Sequence, residues 1–171
     1  PSTAEYAISI AASIAKHFLN QNKMLGMLTY ASGTTQPIVN KNIAKSKGQR
    51  NQSQRELVQP DRGDRQLNKI LERLAMVQAQ GDVPFDRVLR AEAMHLPRGS
   101  TIVLISASPD PAWATIAGQL SHSGGRVVVV LIDPRTFNPA APAIDPVLTA
   151  LNEGGTAVRV VRYGDNFGDV L

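Results

Sequence analysis

Two stretches in the last third of the chain constrain the fold more than any other feature: 101–107 (TIVLISA) and 126–132 (RVVVVLI). A strand with one face in water alternates apolar and polar side chains. These two are apolar at nearly every position, so both of their faces must be covered. A parallel sheet packed between two layers of helices meets that requirement. The segment between them supplies a helix. Asp110-Pro111 opens it, Trp113, Ile116, Ala117 and Leu120 recur at helical spacing, and Ser123-Gly124-Gly125 closes it. The same grammar repeats downstream. Asp145-Pro146 opens a helix carrying Val147, Leu148 and Leu151, Gly154-Gly155 ends it, and 156–163 (TAVRVVRY) is a third strand. Arg159 and Arg162 within that strand predict an outer position in the sheet. A short amphipathic turn, Asp165 to Leu171, ends the sequence. This alternation is that of an α/β fold with a mostly parallel sheet.

Upstream, 3–20 reads as a helix from Tyr6, Ile10 and Ile14 at i+4 spacing, with Ser2 and Glu5 at capping-box spacing. Residues 24–30 (MLGMLTY) and 34–40 (TTQPIVN) read as a hairpin around Ala31-Ser32-Gly33, with Pro37 placing the second strand at an edge. Residues 41–63 are polar and read as a long loop. A helix over about 64–79 follows, with Leu67, Ile70, Leu71, Leu74 and Val77 as its apolar face and Asp64 as its cap. A shorter one starts at Pro84 and carries Phe85, Val88, Leu89 and Met94. One irregularity stands out. The first helix has no strand before it, although a helix lying on a parallel sheet ordinarily follows one. The chain also opens at Pro1, so it reads as a piece of a longer protein that has lost that strand.

At 171 residues the chain suits one domain. It contains no cysteine, which removes disulfides, thiolate metal sites and a cysteine nucleophile. No apolar run approaches the roughly 18 residues of a membrane helix, and no signal-peptide pattern opens the sequence. The net charge is +4, and Lys41, Lys45, Lys47, Arg50 and Arg55 fall within a stretch that holds no acid. Subtracting those five from +4 leaves −1, so the basicity belongs to one segment. That segment is a candidate contact loop for phosphates. It has no aromatic side chain on which a base would stack, and it matches no nucleic-acid-binding motif, so a solvated loop is expected and no nucleic-acid partner.

The common catalytic signatures are missing: no phosphate-binding GxxxxGK[ST], no GxGxxG after a strand, no GxSxG, no HExxH and no EF-hand loop. His17, His95 and His122 each fall near the end of a different predicted helix and read as solvent-facing residues. Ligands of open parallel sheets bind outside the carboxyl ends of the strands. That rule selects Ser106–Asp110, the stretch from Asp133 to Pro142, and the turn at Gly81–Pro84. Ser106, Ser108, Asp110 and Asp82 carry hard oxygens of the kind Mg²⁺ accepts. Asp110, just before Pro111, reads more simply as a helix cap.

Several stretches, in this order, resemble the C-terminal half of a bacterial family named domain of unknown function 58, a von Willebrand factor A-like domain. They are Thr3-Ala4-Glu5-Tyr6 with its Ala/Ile-rich helix, Asp61-Arg62-Gly63-Asp64-Arg65-Gln66-Leu67 leading to Ile70-Leu71-Glu72, Leu96-Pro97-Arg98-Gly99-Ser100-Thr101, and Asp110-Pro111-Ala112-Trp113. The glycine-closed helices before Arg126 and Thr156 fit the same pattern. The resemblance spans nearly the whole chain. It implies a doubly wound, Rossmann-like sheet whose central first strand is missing from this chain, and a gap that another molecule could fill.

The resemblance also bears on function. Related domains hold a metal ion at an adhesion site that needs a Thr and an Asp where this sequence has Val83 and Ala107. Neither offers a side-chain oxygen, so the site is degenerate and no metal or other cofactor is expected. The implied function is a non-enzymatic protein–protein interaction module. It would work with a MoxR-type AAA ATPase in the assembly or maturation of complexes at the cytoplasmic face of the bacterial membrane, with the full-length protein tethered there. Its partner-binding face would hold Asp82, Val83, Ser106, Ser108 and Asp110. The alternative is a small hydrolase or phosphate-binding enzyme using Ser106, Ser108 and Asp110, for which no general base stands at a fixed motif distance.

Overall fold

The computed structural model describes residues 2–32, 53–77 and 83–170. The elements run α1 (Thr3–Asn20), β1 (Leu25–Ser32), β2 (Ser53–Asp61), α2 (Gly63–Met76), α3 (Phe85–Ala93), β3 (Thr101–Ser106), α4 (Ala112–His122), β4 (Arg126–Ile132), a 3₁₀ turn (Pro134–Thr136), α5 (Asp145–Glu153), β5 (Ala157–Val161) and α6 (Phe167–Val170). They fall into two compact units, Pro1–His17 with Pro84–Leu171, and Phe18–Val83.

The first unit is built on β4. β3, β4 and β5 form a parallel sheet in that order. Side chains alternate between the two faces of a strand, and here both sets are apolar. On one face Leu104, Val127, Val129 and Leu131 pack with Leu89 of α3, Trp113, Ile116 and Ala117 of α4, and Val147 and Leu151 of α5. On the other, Val103, Ile105, Val130, Ile132 and Val161 pack with Tyr6, Ala7, Ile10 and Ile14 of α1. Val129, Leu131 and Ile132 have no accessible surface. At ~1.5–3 kcal/mol per fully buried aliphatic side chain, β4 is the largest single contributor to this core. Among the described residues β5 ends the sheet, as the arginines of 156–163 predict; Arg159, within β5, and Arg162, just beyond it, are both exposed. This much is a helix-flanked parallel sheet of a mixed α/β fold, an arrangement compatible with a Rossmann-like one.

Helix termini follow the sequence closely. Ser2 and Glu5 form a reciprocal capping box: the Ser2 amide donates to the Glu5 carboxylate at 2.6 Å, and the Glu5 amide to Ser2 Oγ at 3.2 Å. Both Gly-Gly pairs end helices. Gly124 and Gly155 adopt φ of +94° and +64°, and the Gly125 and Thr156 amides reach back to the Leu120 and Leu151 carbonyls at 3.2 and 3.0 Å. Some starts are shifted. Asp64 does not cap α2, whose first residue is Gly63, and the carboxylate of Asp61 takes the Arg62 amide instead. Pro84 stands at the cap of α3 rather than in its first turn, and Asp145 is itself the first residue of α5.

The second unit corrects the sequence reading. The antiparallel partner described for β1 is Ser53–Asp61, whereas 34–40 lies outside the described residues. The end of the expected 41–63 loop is therefore strand β2 together with the first residue of α2. An isolated two-stranded hairpin is marginal in water. Here the side chain of Gln66 on α2 donates to the Leu25 carbonyl at 2.7 Å and the Gln59 carbonyl at 2.8 Å, tying both strands to the helix. Ile70 and Leu74 are buried on the same helical face.

α4 and α5 approach where both lack a side chain. A Cβ built on Gly118 would sit 3.1 Å from the Gly154 Cα, and one on Gly154 would sit 3.0 Å from the Gly118 Cα. Gly118→Val forces these helices apart. It is expected to destabilise the protein by about 1–3 kcal/mol in urea unfolding, as overpacked cores do, even though valine is the better helix former.

Candidate functional site

Three loops leave the carboxyl ends of β3, β4 and β5. In each of them polar groups are committed to holding the loop itself.

After β3, Ser106 Oγ accepts the Ser108 amide at 3.1 Å, Ser108 Oγ accepts the Asp110 amide at 3.4 Å, and Asp110 Oδ1 accepts the Ala112 amide at 2.9 Å. These are successive side-chain-to-backbone turns. The buried indole of Trp113 fastens them, its Nε1 donating to the Ser108 carbonyl at 3.2 Å. Asp110 thus does the work of a cap from one position earlier than expected, because Pro111 occupies the cap residue itself. Ala107 packs toward the α1 face of the sheet and adds no ligand atom.

After β4, the Asp133 amide donates to the Val161 carbonyl at 2.9 Å, and its Oδ1 accepts the Arg135 amide at 3.1 Å. Thr136 Oγ1 donates to the Asp133 carbonyl at 2.7 Å and accepts the Tyr163 amide at 3.0 Å. Arg135 lies 3.9 Å from Asp133 and 3.5 Å from Asp145. Arg135 and Asp145 are well exposed, so the second pair adds little to stability.

After β5, Asp165 accepts the Arg162 amide at 2.8 Å, and Tyr6 OH accepts the Gly164 amide at 2.8 Å. Tyr6 is the hub of an aromatic cluster, with ring centroids 4.8 Å from Phe137, 5.3 Å from Phe167 and 5.9 Å from Tyr163. The edge-to-face geometry of the first two contacts is the favourable one. The cluster fixes the first turn of α1 to the ends of β4 and β5. Sequence reasoning placed Tyr6 on an apolar helix face and missed this site. The available signal was aromatic content, since half of the chain's one Trp, three Tyr and four Phe meet here.

Around this end of the sheet the exposed side chains include Asp110, Arg135, Asn138, Asp145, Arg162 and Tyr163, a rim of mixed charge with one aromatic ring. Ser106, Ser108 and Asp110 are brought together as the sequence suggests. Asp82 lies outside the described residues, as do Lys41, Lys45, Lys47 and Arg50. Val83 closes the other unit, 38% exposed and without an oxygen ligand. Arg55, expected in a loop, stands on β2 opposite Tyr30. The three histidines are exposed, and His122 Nδ1 lies 2.7 Å from the Gly118 carbonyl. Among the described residues no three His, Asp or Glu side chains converge in a way that could hold a metal ion. Two open grooves, about 450 and 440 Å³, flank α4, lined by residues of α3, α4 and α5 and their ends rather than by the rim.

If the rim is held as these bonds indicate, Asp110→Ala removes the acceptor at the start of α4. It is expected to cost about 1 kcal/mol in chemical unfolding. Asp110→Asn keeps a side-chain oxygen there and should cost clearly less.

No family model matches the chain. Among curated proteins it is similar to a dTDP-4-dehydro-2,3,6-trideoxy-D-glucose 4-aminotransferase of Saccharopolyspora spinosa, 32% identical over 82 residues. That stretch is 48% of this chain and 20% of the aminotransferase, so the chain matches about a fifth of its relative's length.

Proposed function

We propose that this chain is a non-enzymatic protein–protein interaction module, a von Willebrand factor A-like domain that presents the carboxyl-end rim of its sheet to a partner. The observation that carries the reading is the state of the loop polar groups. Ser106, Ser108 and Asp110, the residues a hydrolase would need, each accept a backbone amide of their own loop. A loop held in this way offers a preformed surface, which lowers the ordering cost of association. Exposed Arg135, Asp145, Arg162 and Tyr163 give that surface both charge signs and an aromatic anchor, and Tyr and Arg are the side chains that most often carry interface energy.

The partner is a MoxR-type AAA ATPase and the setting is the cytoplasmic face of the bacterial membrane. Both rest on the sequence resemblance. No helix among the described residues is long and apolar enough to cross a membrane, so tethering would come from other parts of the full-length protein. On the same resemblance, Val83 and Ala107 fall at sequence positions where related domains carry metal ligands, so direct protein contact would take the place of metal-dependent adhesion. The similarity to the aminotransferase covers too little of that enzyme to carry transamination to this chain.

Binding to a MoxR-type ATPase, measured by calorimetry, is expected to weaken at least about tenfold (roughly 1.4 kcal/mol) in the double variant Arg135→Glu, Arg162→Glu, with the melting temperature nearly unchanged. Absence of binding by the unaltered protein contradicts the partner assignment. Addition of Mg²⁺ or Mn²⁺ is expected to leave thermal unfolding unchanged, whereas a bound ion at 100 times its Kd would add ~2.7 kcal/mol. Turnover of a phosphoester or ester that is abolished by Ser108→Ala would overturn the non-enzymatic reading.

A further inference from the structure

At the amino end of the parallel sheet, opposite the rim, the last turns of α3 and α4 leave an open groove of about 450 Å³ between them. Its lining is Arg90, Ala93, Ile116, Gln119, Leu120 and Ser123. Ile116 is buried, and Ala93 and Leu120 are half-buried, so the floor is apolar. Ala93 is the last residue of α3, and its methyl group leaves open the space that a longer side chain would fill. Arg90 lies one turn earlier on the same helix face. It is exposed and pairs with no carboxylate among the described residues. The neighbouring carbonyls of α4 are occupied. The Ser123 amide donates to the Gln119 carbonyl at 3.0 Å, and Ser123 Oγ and the Gly125 amide donate to the Leu120 carbonyl at 3.0 and 3.2 Å. This helix end therefore presents less of the negative charge that free terminal carbonyls carry. The charged residues that end α3 and lead into β3 and β4 here also share one sign. Arg90, Arg98 and Arg126 are all exposed, whereas Glu92, the acid in the last turn of α3, is buried. Glu153 lines the other groove, on the α5 side of α4.

We propose that the groove between α3 and α4 is a docking site for a short acidic segment of a partner protein, which sets an aliphatic side chain against Ala93, Ile116 and Leu120 and a carboxylate against Arg90. The chemistry of the lining selects this occupant. An apolar floor favours a side chain that gains by leaving water. A guanidinium is the cation best shaped for a carboxylate, which it binds through two parallel N–H bonds. Gln119 is exposed and carries both a donor and an acceptor for the backbone of the segment. Ser123 Oγ, although it donates to the Leu120 carbonyl, keeps lone pairs that can accept. A basic segment would bring its charge against Arg90. A nucleic acid would need a ring on which to stack, and no aromatic side chain lines the groove. This surface is separate from the rim, and the inference stands independently of the partner proposed above.

The test uses the 171-residue chain and a blocked, fluorescein-labelled peptide, Glu-Glu-Leu-Leu-Glu-Glu, followed by fluorescence anisotropy and by two-dimensional amide NMR. The expected result is saturable binding, with shifts centred on the amides of Ala93, Gln119, Leu120 and Ser123. Peptides with lysine in place of glutamate, or serine in place of leucine, should bind at least about tenfold more weakly. Arg90→Glu should weaken binding of the acidic peptide at least about tenfold. Its melting temperature should be nearly unchanged, since Arg90 is exposed. Arg159→Glu, an equal charge change on β5, should leave binding as it was. If Arg90→Glu fails to fold, Arg90→Gln, which removes the charge alone, decides by the same criterion. No binding below about 1 mM peptide, equal binding of the lysine or serine peptide, undiminished binding by the folded Arg90 variant, or shifts confined to the rim overturns the proposal.

Discussion

Everything in the larger unit depends on covering both faces of β4. Its seven residues include six aliphatic ones, and three of those have no accessible surface at all. A strand of this kind is unstable against one layer of helices and stable between two. That single requirement puts α1 on one face and α3, α4 and α5 on the other. It also forces close approaches, such as Gly118 against Gly154, where helices must pack densely enough to shield the sheet. Packing in such interiors leaves few voids, and the two grooves beside α4 are lined by the helices and their ends rather than by the sheet.

The same arrangement determines what the carboxyl end of the sheet can do. Three chain reversals occur there within a small space, and each leaves backbone amides without a partner in the regular elements. Side chains of Ser106, Ser108, Asp110, Asp133, Thr136, Asp165 and Tyr6 take up these amides. Unsatisfied amides near a core are costly, so these polar residues hold the loops in place. The outcome is a preformed rim of mixed charge.

Much of this fold is legible in the sequence because its signals are local. The apolar run 126–132 matches β4 residue for residue, the 3–20 periodicity matches α1, and Ser2 with Glu5 and the two Gly-Gly pairs mark helix ends through short-range geometry. β2 was hidden for the opposite reason. SQRELVQPD has one buried apolar residue, Val58, amid Gln, Arg, Glu and a proline, so a strand stabilised by its partner and by Gln66 reads as a loop. The aromatic cluster was hidden by distance along the chain, since Tyr6 and Gly164 are 158 positions apart and no periodicity links them. Within the candidate site, the clustering of Ser106, Ser108 and Asp110 followed from their adjacency, but the direction of their hydrogen bonds did not.

The central claim is that the polar side chains of the rim are committed to the rim's own backbone. Amide hydrogen exchange at Ser108, Ala112, Arg135, Tyr163 and Gly164 in the native protein tests it most directly, because each of these amides donates to a side-chain oxygen. The account predicts slow exchange at all five, well below the rate of an open loop. Exchange at open-loop rates across the group would show that these oxygens are free, and the rim would have to be reconsidered as a reactive or ligand-holding site.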